Sequence, residues 1–191
     1  MGSISIFQQD QFDTYQPQVF IETGTWKGDG LLSIIQRFNL AEYHSIELSP
    51  LHFSAARDRF AEYPNVFIHQ GHTLDILPEL LKRLSSYTSI LFWLDAHLPE
   101  ITDEAFGDRS QEVAFPLEKE LQIIKETRPT QADVIVADDL RIYEDGPFTI
   151  GCAPEVYQSK TRGISFIENL FPDRIITKSF ESEGYIFILP K

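Results

Sequence analysis

The sequence predicts an α/β fold: a doubly wound, mostly parallel seven-stranded sheet that closes with a C-terminal antiparallel hairpin. Short apolar runs, rich in β-branched and aromatic residues, alternate with segments whose apolar residues recur at three-and-four spacing. The runs are nearly continuous in apolarity, as strands of a parallel sheet covered on both faces must be. The last two runs are separated only by "ESEG", too short for a parallel crossover, so they pair as a hairpin.

Taken in order, the expected strands lie at 19–22, 43–48, 66–70, 90–95 and 134–137, with the hairpin at 174–180 and 185–189. Helical spacing appears at Leu31, Leu32, Ile34 and Ile35, at Ala55, Ala56, Arg59 and Phe60, at Leu77, Leu80, Leu81 and Leu84, and at Leu117, Leu121 and Ile124. Two stretches follow neither pattern, 98–115 and 141–163, and loops of that length in a compact domain read as lids. The expected organisation is one domain, 1–191, carrying both.

Composition narrows the function classes. The 191 residues are 42% hydrophobic and 24% charged, ordinary globular usage. A formal charge of −13 disfavours nucleic acid and anionic membrane surfaces, because counterion release needs a basic stripe. Cys152 is the only cysteine, which excludes a disulfide framework within the chain and suits a reducing cytoplasm. No apolar run reaches the roughly 18 residues of a membrane span, and the start "MGSISIFQQDQF" has neither a basic segment nor an apolar core. The expectation is a cytoplasmic protein with a small-molecule partner; a homodimer is compatible with these numbers.

In a parallel sheet the carboxyl ends of the strands share one rim, and ligands bind in the crevice there. The expected strand ends read "IETG", "IEL", "HQGH", "LDAH" and "VADDL", so Glu22, Glu47, Gly71, Asp95, His97, Asp138 and Asp139 are predicted along one edge. Acids and glycines after strands also serve as caps and turns, but five coincident ends favour a site. Asp95, Asp138 and Asp139, crowded on neighbouring strands, repel unless a proton or cation intervenes. Gly24 and Gly28 let the backbone approach a ligand at the start of a helix expected near Trp26. The dinucleotide pattern G-x-G-x-x-G is not met. Glu47, about twenty-five residues beyond Glu22, suits a ribose diol and implies a nucleoside-bearing cofactor.

The motifs "ETGTWKGDG", "IELSP", "GHTLDILPEL", "FWLDAH" and "VIVADDL", in this order, resemble the class I S-adenosylmethionine-dependent methyltransferases. They look most like the magnesium-dependent O-methyltransferases of the catechol type, with related sugar enzymes of the macrocin type. The resemblance spans roughly residues 19–140 and implies a Rossmann-like methyltransferase fold. It implies that Glu22, Gly24 and Thr25 hold the amino-acid end of the cofactor, Glu47 the ribose, and Gly71, His72 and Thr73 the adenine edge; Thr23, Gly28 and Asp95 are also expected beside the cofactor. It further implies a Mg²⁺ site on Asp95, Asp138 and Asp139, with Asp139 standing where the family has Asn.

Two departures accompany it. The family's general-base lysine falls on Leu98, leaving His97 as the neighbouring proton acceptor, and the family's substrate-covering N-terminal helices are not expected. The reading is therefore methyl transfer to an oxygen of a sugar or phenol held in line at about 3 Å, with His97 and Asp95 as catalytic residues. Alternatives are a metal-independent methyltransferase whose aspartates meet a cationic amine, a nucleotide-binding module without chemistry, and a nicotinamide oxidoreductase handicapped by the glycine spacing. Trp93 reads as core, Trp26 as either a cofactor contact or a helix-start contact, and Arg109 and Arg141 as solvated lid residues. His52 and His69 receive no role, and "ITDEAFGD" reads as a solvated face.

Overall fold

The structure, a computed structural model, describes residues 4–97 and 114–191. All seven expected strands are present: β1 (Val19–Thr23), β2 (Glu42–Glu47), β3 (Val66–Gln70), β4 (Ile90–Leu94), β5 (Val134–Ala137), β6 (Ile175–Ser179) and β7 (Tyr185–Leu189). Their order in the sheet is β3-β2-β1-β4-β5-β7-β6, with β7 antiparallel to both neighbours and the first five strands parallel.

The helices are α1 (Gln9–Tyr15), α2 (Asp29–Arg37), α3 (Pro50–Arg59), α4 (Thr73–Arg83), α5 (Leu117–Thr127) and α6 (Ser165–Leu170). Alternate strand residues feed two separate cores. Val19, Ile21, Phe92, Leu94, Ile135 and Ala137 pack with the leucines of α4 and α5 and with Ile167 of α6. Phe20, Leu91, Trp93, Val134 and Val136 pack on the other face with Leu31 and Ile34 of α2 and with Phe60. This period-two division is why the central strands are apolar on both faces.

Three local expectations change. The helix expected near Trp26 begins at Asp29, because Trp26 (φ 46°) and Gly28 (φ 75°) are both left-handed and helical backbone starts only after them. Helix α3 begins five residues before the expected Ala55, with Pro50 in the first turn and the Ser49 hydroxyl accepting from the His52 N–H. A helix does precede β1, but α1 does not cover the rim. Phe12 stacks on Phe38 beyond the far end of α2, with centroids 4.4 Å apart, and the Tyr15 carbonyl accepts from the Ser89 hydroxyl below β4.

Most of the expected 98–115 lid lies outside the described residues, as do Arg109 and the acidic stretch 101–108. The 141–163 stretch folds back on its own start: Ser159 N–H donates to the Ile142 carbonyl at 3.0 Å and Gly163 N–H to that of Tyr143 at 2.6 Å. Among the described residues, no helix is long and apolar enough to cross a membrane.

Away from the rim, His44 is fully buried between His69 (3.1 Å) and Glu42 (2.9 Å), with the Arg83 guanidinium 3.4 Å away. Burial first, then His69, pushes the His44 imidazolium down to about 4, and burial with Arg83 lowers His69 as well. The unfolded chain takes up the His44 proton near pH 6.5 and the folded chain only near 4, so acidification through that window favours unfolding. From pH 7 to 5 the wild type is expected to lose on the order of 2 kcal/mol more stability than His44→Phe, measured by urea unfolding.

Candidate active site

The loop after β1 is built around Gly24, whose φ is +85° and whose amide donates to the Ile46 carbonyl at 2.9 Å. A Cβ on Gly24 would lie 2.6 Å from the backbone oxygen of Asp95, so the β1 loop and the end of β4 touch backbone to backbone only because no side chain is there. Gly28 serves the other side of the loop. It caps α2 in a left-handed conformation, and a Cβ there would strike the Phe60 ring at 2.7 Å.

Glu22 lies beneath this loop, 2% exposed, accepting a 2.6 Å hydrogen bond from the Ser45 hydroxyl, which is itself 2.6 Å from that of Thr25. Burial is the main cause that pushes the Glu22 carboxyl up to about 8; Asp95 and Glu47 add to it and Ser45 opposes it. Glu47 accepts from the amides of Trp26 (2.7 Å) and Ser49 (2.8 Å), which pins its carboxylate at the rim. Trp26 thus contributes its backbone to the site, while its half-buried ring carries the Lys27 ammonium 4.4 Å from its centroid.

A cleft opens beside this loop. Gly24, Glu47, Gly71, His72, Thr73, Asp95 and His97 line it, together with Ile46, Leu48, Ala96 and Pro116. Of the residues expected around a cofactor, Glu22, Thr23, Thr25 and Gly28 are not among those lining it; the first three are buried under the loop and Gly28 faces Phe60. Thr23 instead binds the end of β4, its carbonyl and hydroxyl both receiving the Asp95 N–H (3.0 and 3.3 Å).

At one end of the cleft the acids converge. The Asp95 carboxylate receives the Trp93 indole N–H at 3.3 Å, so this core tryptophan also orients a rim residue. His97 sits between two carboxylates, its Nδ1 3.3 Å from Asp95 and its Nε2 bonded to Asp139. Asp139 holds the Arg141 guanidinium at 2.8 Å, which makes Arg141 an ion-pair partner rather than a solvated residue. Asp139 is left-handed (φ 56°), and its N–H donates to Asp138 at 2.8 Å. That corner separates the directions of the two consecutive acids. One donor atom each from Asp95, His97 and Asp139 lie within 4.8 Å of one another. The expected set was Asp95, Asp138 and Asp139; Asp138 instead lines a small internal cavity with His97, Glu120 and Tyr143.

The charges follow the geometry. Burial raises the Asp95 carboxyl to about 6 despite the opposing pull of His97. Burial, with Asp95 and Asp139 adding, holds Asp138 well above the usual carboxylate range. For His97, burial works against the charged form, but Asp139, Asp95 and Asp138 outweigh it and lift the imidazolium to about 9. For Asp139, burial is likewise outweighed, by His97 and Arg141, and the carboxyl is lowered.

Glu120 of α5 belongs to the same neighbourhood and was not foreseen. It is 1% exposed and accepts from the Thr73 hydroxyl at 2.8 Å. Burial pushes its carboxyl up to about 7. A signal existed: Glu120 falls on the same helical face as Leu117, Leu121 and Ile124.

No protein-family model matches the sequence, and no curated protein matches it. Solved structures do. The chain is similar to the S-adenosylhomocysteine-bound Podospora anserina methyltransferase PaMTH1, at 18% identity over 95% of this chain and 75% of that one, with a TM-score of 0.65. It is similar to a Bacillus cereus O-methyltransferase in complex with S-adenosylhomocysteine, at 14% identity, 100% and 83% coverage and a TM-score of 0.61. It is also similar to the O-methyltransferase TomG of Streptomyces achromogenes, involved in tomaymycin synthesis and solved with S-adenosylmethionine, at 16% identity, 94% and 76% coverage and a TM-score of 0.57. At these identities the likeness establishes the fold, that of the S-adenosylmethionine-dependent methyltransferases.

Proposed function

We propose that this chain is an S-adenosylmethionine-dependent O-methyltransferase, assisted by a divalent cation, that acts on a small polyhydroxylated molecule, a sugar or a phenol. The observation that carries the reading is the convergence of Gly24, Glu47, Asp95 and His97 on one cleft, with Asp139 behind it bonded to His97.

Glu47, already fixed by two amides, keeps lone pairs for the two ribose hydroxyls. Gly71, His72 and Thr73 border the same cleft at the start of α4 and suit the adenine edge. Glu22, Thr23 and Thr25 support the loop from below rather than forming the cleft wall. Gly24 allows the loop to lie against β4, which keeps the cofactor's reactive end near Asp95. Two carboxylates and one imidazole form an oxygen-and-nitrogen donor set that fits a divalent cation of the Mg²⁺ or Mn²⁺ kind. Such a cation supplies Lewis acidity that makes an acceptor hydroxyl easier to ionise. Both His97 nitrogens face carboxylates, so the imidazole can take an acceptor's proton only by giving up one of those partners.

The same observation favours a second reading, in which His97 and Arg141 balance Asp95 and Asp139 and methyl transfer needs no metal. Calorimetry with S-adenosylhomocysteine tests the shared part: binding is expected, and no heat together with no thermal shift would overturn methyl transfer. Chelation separates the two readings. Turnover of a catechol or sugar acceptor is expected to vanish in EDTA and return with Mg²⁺ or Mn²⁺, whereas undiminished turnover would select the metal-free reading.

A further inference from the structure

Resting on the methyl-transfer reading just proposed, we infer that a second cavity, between the start of α5 and the folded-back 141–163 stretch, holds the ring of the methyl acceptor and selects an aromatic acid, a phenol whose ring carries a carboxylate. Phe115, Tyr143 and Phe166 supply aromatic walls, and Lys119 and Lys160 stand at the border. The volume is about 300 Å³, at the lower end of the roughly 300–1,000 Å³ typical of small-molecule sites.

Shared walls join this cavity to the rim. Ala96 and His97 border both the cofactor cleft and the small internal cavity, and Tyr143 borders both that internal cavity and the large one. Tyr143 is 4% exposed, and among the described residues no hydrogen bond engages its hydroxyl. A ring seated against Tyr143 is thus separated from His97 and Asp138 by that one side chain, and its own hydroxyl has only to pass it. In the transfer the O–CH₃ bond forms as the S–CH₃ bond of the cofactor breaks, and the hydroxyl proton leaves to solvent.

Wall chemistry sets the ligand class. The chain carries −13 overall, yet among the described residues two ammonium groups and one carboxylate, that of Glu118, border this cavity. A local excess of positive charge draws an anion, and flat aromatic walls suit a ring better than a polyol. A neutral sugar offers the ammonium groups no charge. The segment carrying Lys160 is fastened in place: the Ser159 N–H and the Arg162 guanidinium both donate to the Ile142 carbonyl (3.0 and 2.8 Å), and the Thr161 N–H donates to the Ser159 hydroxyl at 3.2 Å.

Calorimetry on the full chain in the presence of S-adenosylhomocysteine tests this with 3,4-dihydroxybenzoate, catechol and glucuronate. Dihydroxybenzoate is expected to bind about tenfold more tightly than catechol, and glucuronate more weakly than either. Changing Lys119→Met and Lys160→Met together should remove that preference by weakening the acid alone, whereas Phe166→Leu should weaken acid and catechol alike. Equal binding of dihydroxybenzoate and catechol by the wild type overturns the inference, as does a preference that survives the paired lysine change. Glucuronate bound more tightly than dihydroxybenzoate overturns the aromatic assignment. No heat from S-adenosylhomocysteine itself overturns the cofactor reading and the acceptor role with it, an outcome separable from the others.

Discussion

Replacing Gly24 with alanine is expected to weaken S-adenosylhomocysteine binding by about 100-fold, roughly 2.7 kcal/mol, with the fold retained. Two costs act together. The backbone at Gly24 is left-handed, and the new Cβ would sit 2.6 Å from the Asp95 carbonyl and 3.2 Å from the Ala96 nitrogen, both main-chain atoms that cannot rotate aside. The loop must therefore lift off β4, moving Glu47's partner Trp26 and opening the cleft where Asp95 and Gly24 face each other. Calorimetry gives the affinity and far-ultraviolet circular dichroism the fold. An alanine variant that binds as the wild type does would mean the cofactor lies elsewhere.

The second large effect lies at the opposite edge of the sheet. Arg128 is 4% exposed and meets Asp133 through two hydrogen bonds of 2.7 and 2.8 Å, while also donating to the Tyr87 carbonyl at 2.9 Å. Asp133 in turn receives the Ile90 amide at 2.9 Å, so this pair joins the ends of α5 and α4 to the starts of β4 and β5. Arg128→Ala strands the Asp133 charge in the interior and should cost about 3–5 kcal/mol of unfolding free energy. Urea unfolding measures it, and cofactor affinity of the folded variant should be unchanged because the pair is remote from the rim.

The central strands β1, β4 and β5 were legible because each is a short run buried on both faces and followed by a polar residue or glycine, as a covered parallel sheet requires. The two short helices were not. Helix α1 buries no residue completely, and α6 spans six residues, fewer than two full turns, so neither repeats often enough to show a period. Helix α3 begins with a proline and a serine cap, but Ala56 is its only buried residue, which leaves it without an apolar stripe.

The rim residues were legible as a group because strand ends define the rim. Their individual tasks depend on backbone angles that residue identity does not display. Nothing in "VADDL" says that Asp139 turns left-handed toward His97 while Asp138 takes its N–H. Nothing in "ETGTWKGDG" says which glycine meets β4 and which meets Phe60. The spacing of Leu117, Leu121 and Ile124 is enough to mark α5 as a helix, and it carries no sign of the acid between them, although Glu120 stands on the same apolar face.

The left-handed corner at Asp139 also bears on how this site can change by mutation. Asparagine and aspartate are the side chains that most readily enter that conformation apart from glycine, so a single-base exchange between them alters the formal charge by one unit while leaving the main chain undisturbed. β-Branched replacements at the same place would have to rebuild the turn before they could be tried at all. The site's charge can therefore drift between lineages more freely than its shape.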